Sequence, residues 1–262
     1  MNKLKDLYKR FKVPLWTILG IAGVFLVWYL LALIIQSSLF PKPWVVIDLF
    51  FRLLGEKDTY LSIGGTILRL IASVGAGFIF GMILGVIAGL SEGFRAFIRP
   101  VIIIFRTIPT AAVIYLLIVL VSPKYAPLVI VFLMTFPILY ESILSGMTSI
   151  SRSILDAASI DGASTFKKIF KIYIPLSWNY IILGLVSSIG LGMKVAIMSE
   201  IFAGSGSAPG LGKLIRDASL TVDMKAILAY SLMAIIIIGM VDIGVYFIKR
   251  RIKRQTGIKE KK

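Results

Sequence analysis

The chain contains no cysteine and no histidine. The first absence excludes disulfide staples and thiol nucleophiles, and the second removes imidazole as a general base and as the commonest zinc ligand. Catalysis would have to rest on carboxylates, hydroxyls or lysines, and no paired-carboxylate motif is present for it. Charge is scarce as well: 16% of the 262 residues are Asp, Glu, Lys or Arg and 58% are hydrophobic, where an ordinary soluble domain carries roughly 25% charged residues. Acidic residues are the scarcest, 13 against 29 Lys and Arg, which leaves a net charge of +16. Nucleic-acid binding would gather those cations on one soluble face; here they are divided among short tails and loops, which argues against a nucleic-acid partner. The phosphate-cradling GxxxxGK[ST] loop is also missing, so no ATP site and no bound cofactor or metal are expected in this chain.

What the chain has is long apolar runs. A membrane-crossing helix needs about 20 mostly apolar residues, and six stretches qualify: 14–36, 66–90, 101–121, 126–147, 179–199 and 224–248. The expected fold is therefore an all-α membrane protein with six transmembrane helices, in contact with lipid along most of its length. The basic run "NKLKDLYKRFK" ahead of the first stretch imitates a signal peptide, but the apolar part exceeds the ~7 to 15 residues of such a segment and lacks an A-x-A-like cleavage site. It reads as a retained span. Six spans put both termini on one side. If that side is the cytoplasm, the inner segments hold 19 Lys and Arg against 7 outside, counting Lys225 at the mouth of the last span, as the positive-inside rule requires. The chain then divides into a tail, first span and external interfacial segment (1–60), a transmembrane domain (61–250) and a basic cytoplasmic tail (251–262).

Several local patterns stand out. Span two places Ser73, Gly77, Gly81 and Gly85 at i, i+4 spacing, a face for close helix packing. Pro109, Pro137 and Pro175 sit in or beside apolar runs and are expected to bend them. The stretch "FPKPWVVIDLFFRLLGEKDTYLSIG" fits an interfacial helix on the outer surface, and "SEIFAGSGSAPGLGKLIRDASLTVD" an external Gly-rich loop before a short helix.

The segment 152–178 is unusual for so apolar a chain. Phe166, Ile169, Phe170 and Tyr173 recur at helical spacing with Lys167, Lys168 and Lys171 opposite, and Asp161-Gly162 separates this piece from the helix-compatible "SRSILDAAS". The order is helix, tight glycine turn, helix. Two readings fit: an amphipathic helix lying on anionic lipid, or a surface gripped by another protein.

The spacing Asp156-Ala157-Ala158, three residues, Gly162, nine residues, Ile172-Tyr173-Ile174-Pro175 resembles the E-A-A-x3-G-x9-I-x-L-P motif of binding-protein-dependent ABC importer permeases, with Asp156 in the place of Glu and Ile174 in that of Leu. "TILRLIASVGAGFIFGMILGVIAGL", "RPVIIIFRTIPTAAVI", "FPILYESILSGM" and "MSEIFAGSGSAPGLGKLI" are similar in order and spacing to the sulfonate/nitrate/taurine-type permease group. The resemblance implies the type I importer permease fold with cytoplasmic coupling helices formed by 152–178. There Asp156, Ala157, Ala158, Gly162, Ala163, Phe166, Phe170, Ile172 and Pro175 would meet the ATP-binding subunit, with Gly162 letting two helices turn at a close contact. It further implies a chain that is not an enzyme: a homodimer in the cell membrane, two ATPase subunits carrying ATP-Mg, and an extracytoplasmic solute-binding protein. The solute would be sulfonate-, taurine- or nitrate-like, or else a thiamine-precursor pyrimidine or riboflavin-type compound. A channel working without ATP is the remaining alternative.

Ionisable residues inside spans cost about 2.5 to 3.5 kcal/mol each and so require partners or roles. Arg69 reads as snorkelling from the outer end of span two. Arg106 either lines the pathway or meets a carbonyl freed by Pro109. Lys194 either attracts an anionic solute or is held by a carbonyl or by a carboxylate such as Glu141 or Asp242, and Glu200 is a gate or loop anchor.

Overall fold

The structure, a computed structural model, describes residues 2–37, 39–204 and 208–256, with side chains from 15 to 252. Eleven helices are formed among them: α1 (Asn2–Ile35), α2 (Pro43–Leu53), α3 (Lys57–Leu90), α4 (Glu92–Thr107), α5 (Thr110–Leu120), α6 (Ala126–Thr148), α7 (Arg152–Ile160), α8 (Thr165–Lys168), α9 (Ile174–Ala203), α10 (Leu211–Leu220) and α11 (Met224–Thr256). Five helical runs are long and apolar enough to cross a membrane: Leu15–Ile35, Lys57–Leu90, Ala126–Thr148, Thr165–Ala203 and Met224–Ile252.

The third expected span, 101–121, is not one helix. It is broken at Ile108 and Pro109 into α4 and α5, which meet at 98°. Pro109 has no N–H to give the preceding turn and pushes the residue before it out of the α region; Ile108 is extended, at φ −64° and ψ 128°. At the other end of α4, the Ser91 hydroxyl caps the helix by accepting from the Phe94 N–H at 3.2 Å. The other two expected bends differ. Pro137 lies inside continuous α6, and Pro175 follows a π-helical turn, Ile169–Tyr173, that joins α8 to α9. The wider turn spares the carbonyl that a proline ring would strike in a regular helix. Residues 165–203 thus form one run, and the expected short second helix and the fifth span, 179–199, are parts of it. Span two likewise begins at Lys57, inside the stretch expected to lie along the surface.

Three helices, α3, α6 and α9, form the centre, and glycines let their backbones close. A Cβ added at Gly81 would stand 3.0 Å from Leu139 Cβ, one at Gly85 2.9 Å from Ile143 Cγ2, and one at Gly89 2.7 Å from Met147 Cβ. Gly184 meets Ser142 in the same manner across α9 and α6, and Gly192 meets Leu70 across α9 and α3. In lipid, where apolar contact alone gives helices no reason to prefer each other, such close approach supplies the packing. Leu139, Ile143, Ile130 and Ile197 fill the layer. On one flank α2 buries Val46 and Leu53 and packs on α11, while its Trp44 and Phe51 remain exposed. The apolar part of α1 stands almost free of the rest and is tied on through Trp28, whose Nε1 donates to the Pro41 carbonyl at 3.2 Å.

Gly85→Leu is expected to lower stability by about 1 to 3 kcal/mol through overpacking, measured by melting in detergent. Gly75, whose Cβ would meet nothing within 4 Å, is expected to accept Ala without loss. Equal effects at the two sites would contradict the packing assigned to α3.

Candidate functional site

Six ionisable residues of the long helices and of α4 pair across helices: Arg69, Arg106, Glu141, Lys194, Glu200 and Asp242. They form three ion pairs, each joining two different helices. A charge in a low-dielectric region is tolerated when a partner cancels it.

The first pair is sealed. Arg69 of α3 and Glu200 of α9 approach to 2.7 Å between Nη1 and Oε1, with side chains 10% and 0% exposed. The snorkelling expected of Arg69 is therefore absent: its guanidinium turns inward because a carboxylate and carbonyls wait there. Its Nε donates to the Gly65 carbonyl at 3.2 Å, and its Nη2 to the carbonyl of Pro209. The second Glu200 oxygen accepts from Thr66 Oγ1 and from the Gly212 N–H, both at 2.9 Å, and the Leu211 N–H donates to Thr66 Oγ1 at 2.9 Å. Leu211 and Gly212 open α10, so two N–H groups that a helix start leaves unpaired are satisfied by this cluster, and the carboxylate sits where the helix dipole favours it. The glycines around it are demanded by space. A Cβ at Gly65 would fall 2.0 Å from the Pro209 carbonyl oxygen, one at Gly210 2.6 Å from Glu200 Cδ, and one at Gly212 2.3 Å from the Ile197 carbonyl oxygen. Arg216 fastens the other side of α10, its Nη1 donating to the carbonyls of Ile201 and Phe202 at 3.1 and 3.2 Å. The cluster staples the segment entering α10 to α3 and α9. Residues 205–207 of the expected loop lie outside the described residues.

The other two pairs are half open. Lys194 Nζ of α9 stands 2.8 Å from Asp242 Oδ2 of α11, with side chains 51% and 45% exposed. Arg106 of α4 pairs with Glu141 of α6, at 56% and 41%; it meets this carboxylate and not a carbonyl freed by Pro109. Helical geometry places both pairs on one side. Residues two apart on a helix point about 160° away from each other. On α6, Glu141 is two residues from Leu139 and Ile143, which face the glycines of α3; on α9, Lys194 is two residues from Gly192, which touches Leu70 of α3. Both pairs therefore lie on the face of the α6–α9 layer opposite α3, together with exposed Ser145 and Met198.

A third feature is the turn between α7 and α8. Gly162 has φ +69°, and the Ala163 and Gly162 N–H groups donate to the carbonyls of Ala158 and Ser159 at 3.0 and 3.1 Å, the double bond of a glycine-terminated helix. A Cβ at Gly162 would meet nothing within 4 Å. The glycine is required by its left-handed backbone, not by the close helix contact expected at this position. Lys168 Nζ, donating to Ser159 Oγ at 2.6 Å, bridges the turn. Asp156, Ala157, Phe166, Phe170 and Pro175 are exposed, Ala158, Ala163 and Ile172 half-buried, and α7 buries no residue at all. Ile160 and Phe166 are 86% and 72% exposed, and the rings of Phe166 and Phe170 pack against each other at 4.7 Å.

Apolar spanning helices, one of them broken, around a tight glycine-packed layer with a projecting helix–turn–helix define an integral membrane protein of the permease class. Residues 77–256 match the family of binding-protein-dependent transport system inner membrane components, and the chain belongs to it. Among relatives, the taurine transport system permease of Escherichia coli is 23% identical over 88% of this chain and 86% of its own length. A probable ABC transporter permease of Brucella melitensis is 28% identical over 84% and 87%, and the putative aliphatic sulfonates permease of Bacillus subtilis 24% over 79% and 70%. Of solved structures, a chain of a bacterial ABC transporter that imports the acidic polysaccharide alginate aligns with TM-score 0.65 at 18% identity, covering 95% of this chain and 99% of that one. One of the methionine transporter MetNI aligns with 0.55 at 14%, covering 71% and 94%. The fold is that of the type I importer permeases, and the chain is a permease subunit rather than an enzyme.

Removing one member of the sealed pair, by Arg69→Met or Glu200→Met, is expected to cost about 3 to 5 kcal/mol, since it orphans the other charge. The double variant should cost less than either single one. Melting of the four proteins in detergent checks this, and additive losses would refute the coupling.

Proposed function

We propose that the chain is the membrane subunit of an ATP-driven importer, pairs with a second copy around a central route, and keeps both termini in the cytoplasm. The observation that carries this is the α7–α8 turn: Ile160, Phe166 and Phe170 stand exposed on a hydrogen-bonded projection at the head of the run Thr165–Ala203. Their aromatic and aliphatic surface suits a groove on an ATP-binding subunit, one for each permease copy, and the continuous run Thr165–Ala203 gives that contact a direct line into the membrane. Asp156, Ala157, Ala158, Gly162, Ala163, Ile172 and Pro175 shape this projection. An extracytoplasmic binding protein delivers the solute to the outer face. That assignment draws support from the alginate transporter, whose structure is known in complex with an alginate-bound periplasmic protein. The names of the taurine and sulfonate relatives favour a small organic solute of that type, moving along the open side of the α6–α9 layer past Arg106 and Lys194. Glu200, sealed on the other side, anchors the segment entering α10.

Ile160→Asp or Phe166→Asp is expected to weaken capture of the ATPase by about 2 kcal/mol or more, roughly thirtyfold, while the chain still inserts and melts normally. Unchanged co-purification with intact ATP-driven uptake would remove the docking role.

A further inference from the structure

Three ion pairs join helices of the bundle, and each sets one cation against one carboxylate. Arg69 is sealed with Glu200, Arg106 is taken by Glu141, and Lys194 by Asp242. The two pairs on the open side of the α6–α9 layer are each half exposed, so a solute passing there meets a cation and an anion together, at 2.8 Å in the case of Lys194 and Asp242. Gly190 lies beside this pair, where a Cβ would come into ordinary contact with Asp242 Oδ1 at 3.4 Å.

This arrangement discriminates by charge pattern. A solute with only a negative charge gains Lys194 either by displacing Asp242, which leaves a carboxylate unpaired in a low-dielectric region, or by binding beside it and being repelled. An uncharged solute gains little from either member. A small solute bearing both an anionic group and a cationic nitrogen can take the place of both partners at once, its anion on Lys194 and its cation on Asp242. No charge is then orphaned at any stage. The same exchange is available at Arg106 and Glu141. Resting on the pathway proposed above, we infer that the cargo is a small zwitterion, and that Lys194 and Asp242 are residues that set this preference against the corresponding simple anion.

The test uses the assembled transporter, with its ATPase and binding protein, in proteoliposomes. Uptake of 2-aminoethanesulfonate and of ethanesulfonate, the same skeleton without its ammonium, is compared in wild type and variants; the ratio between proteins cancels the preference of the binding protein. The same comparison is run with amino acids of this size and their deaminated acids. In wild type a zwitterion is expected to be imported in an ATP-dependent manner at least tenfold faster than its deaminated partner. Asp242→Asn is expected to shrink that ratio about tenfold, and Asp242→Glu to retain it. Should Asp242→Asn assemble poorly, Lys194→Met with Asp242→Met removes the pair together, leaves no orphan, and should assemble but lose the discrimination. ATP-dependent import confined to simple anions or uncharged solutes would overturn the inference, as would an unchanged ratio in an assembled Asp242→Asn or double variant, and both would leave the importer standing. No ATP-dependent uptake and no assembly in wild type would instead overturn the importer itself.

Discussion

A charge within a bilayer must be cancelled by another on the protein, and this constraint organises the chain. Three cations and three carboxylates are distributed so that α3 is tied to α9, α4 to α6, and α9 to α11. Since the pairs are cross-helix, each fixes the rotation and height of the helices it joins, which apolar contact with lipid-like side chains cannot do. The burial of the pairs differs by side. Toward α3 the pair is closed off and further saturated by backbone groups; on the opposite side the pairs are left half open. A molecule that needs one face dry and the other reachable would be built in this manner.

Glycine and proline act beside the charges. Gly81, Gly85, Gly184 and Gly192 leave room that side chains and backbone of the facing helices fill, and Gly65, Gly210 and Gly212 do the same for the segment wrapped around Arg69 and Glu200. Pro109 breaks the span whose halves, α4 and α5, meet at 98°, and the π turn ahead of Pro175 lets α8 and α9 stay continuous. The rigid parts of the fold are thus held by missing side chains as much as by present ones.

Much of this is legible in the sequence. Apolar runs reveal the spans because length and hydropathy decide them, five as single helical runs and the sixth as the bent pair α4 and α5, and the period of small residues in α3 reveals its packing face. The turn at Asp161-Gly162 is visible because its cause is local. Other features follow from distant partners. Arg69 resembles a snorkelling residue when α3 is considered alone, and only the three-dimensional fold brings Glu200 to it. Glu141 is a candidate partner for Lys194 by composition, yet the break at Pro109 delivers Arg106 to it instead, leaving Asp242 to Lys194. The expected spans hold Arg69, Arg106, Lys194 and Lys225 against Glu141 and Asp242, with Glu200 one residue beyond the fifth, so the sequence shows that partners are needed but not who pairs with whom. The early start of α3 escaped because its first turns are polar, as suits the membrane surface.

The central claim is that the face of the α6–α9 layer opposite α3 meets water inside the membrane. Because the chain has no cysteine of its own, single cysteines can be placed at Ser145 and Met198 on that face, at Ile79 and Ile83 on the outward side of α3, and at sealed Ser188, then exposed in intact membranes to a water-soluble thiol reagent. The account predicts rapid labelling at Ser145 and Met198 and little at the other three. Labelling as slow at Ser145 and Met198 as at Ile79 would mean that this face is covered by lipid or protein, and would contradict it.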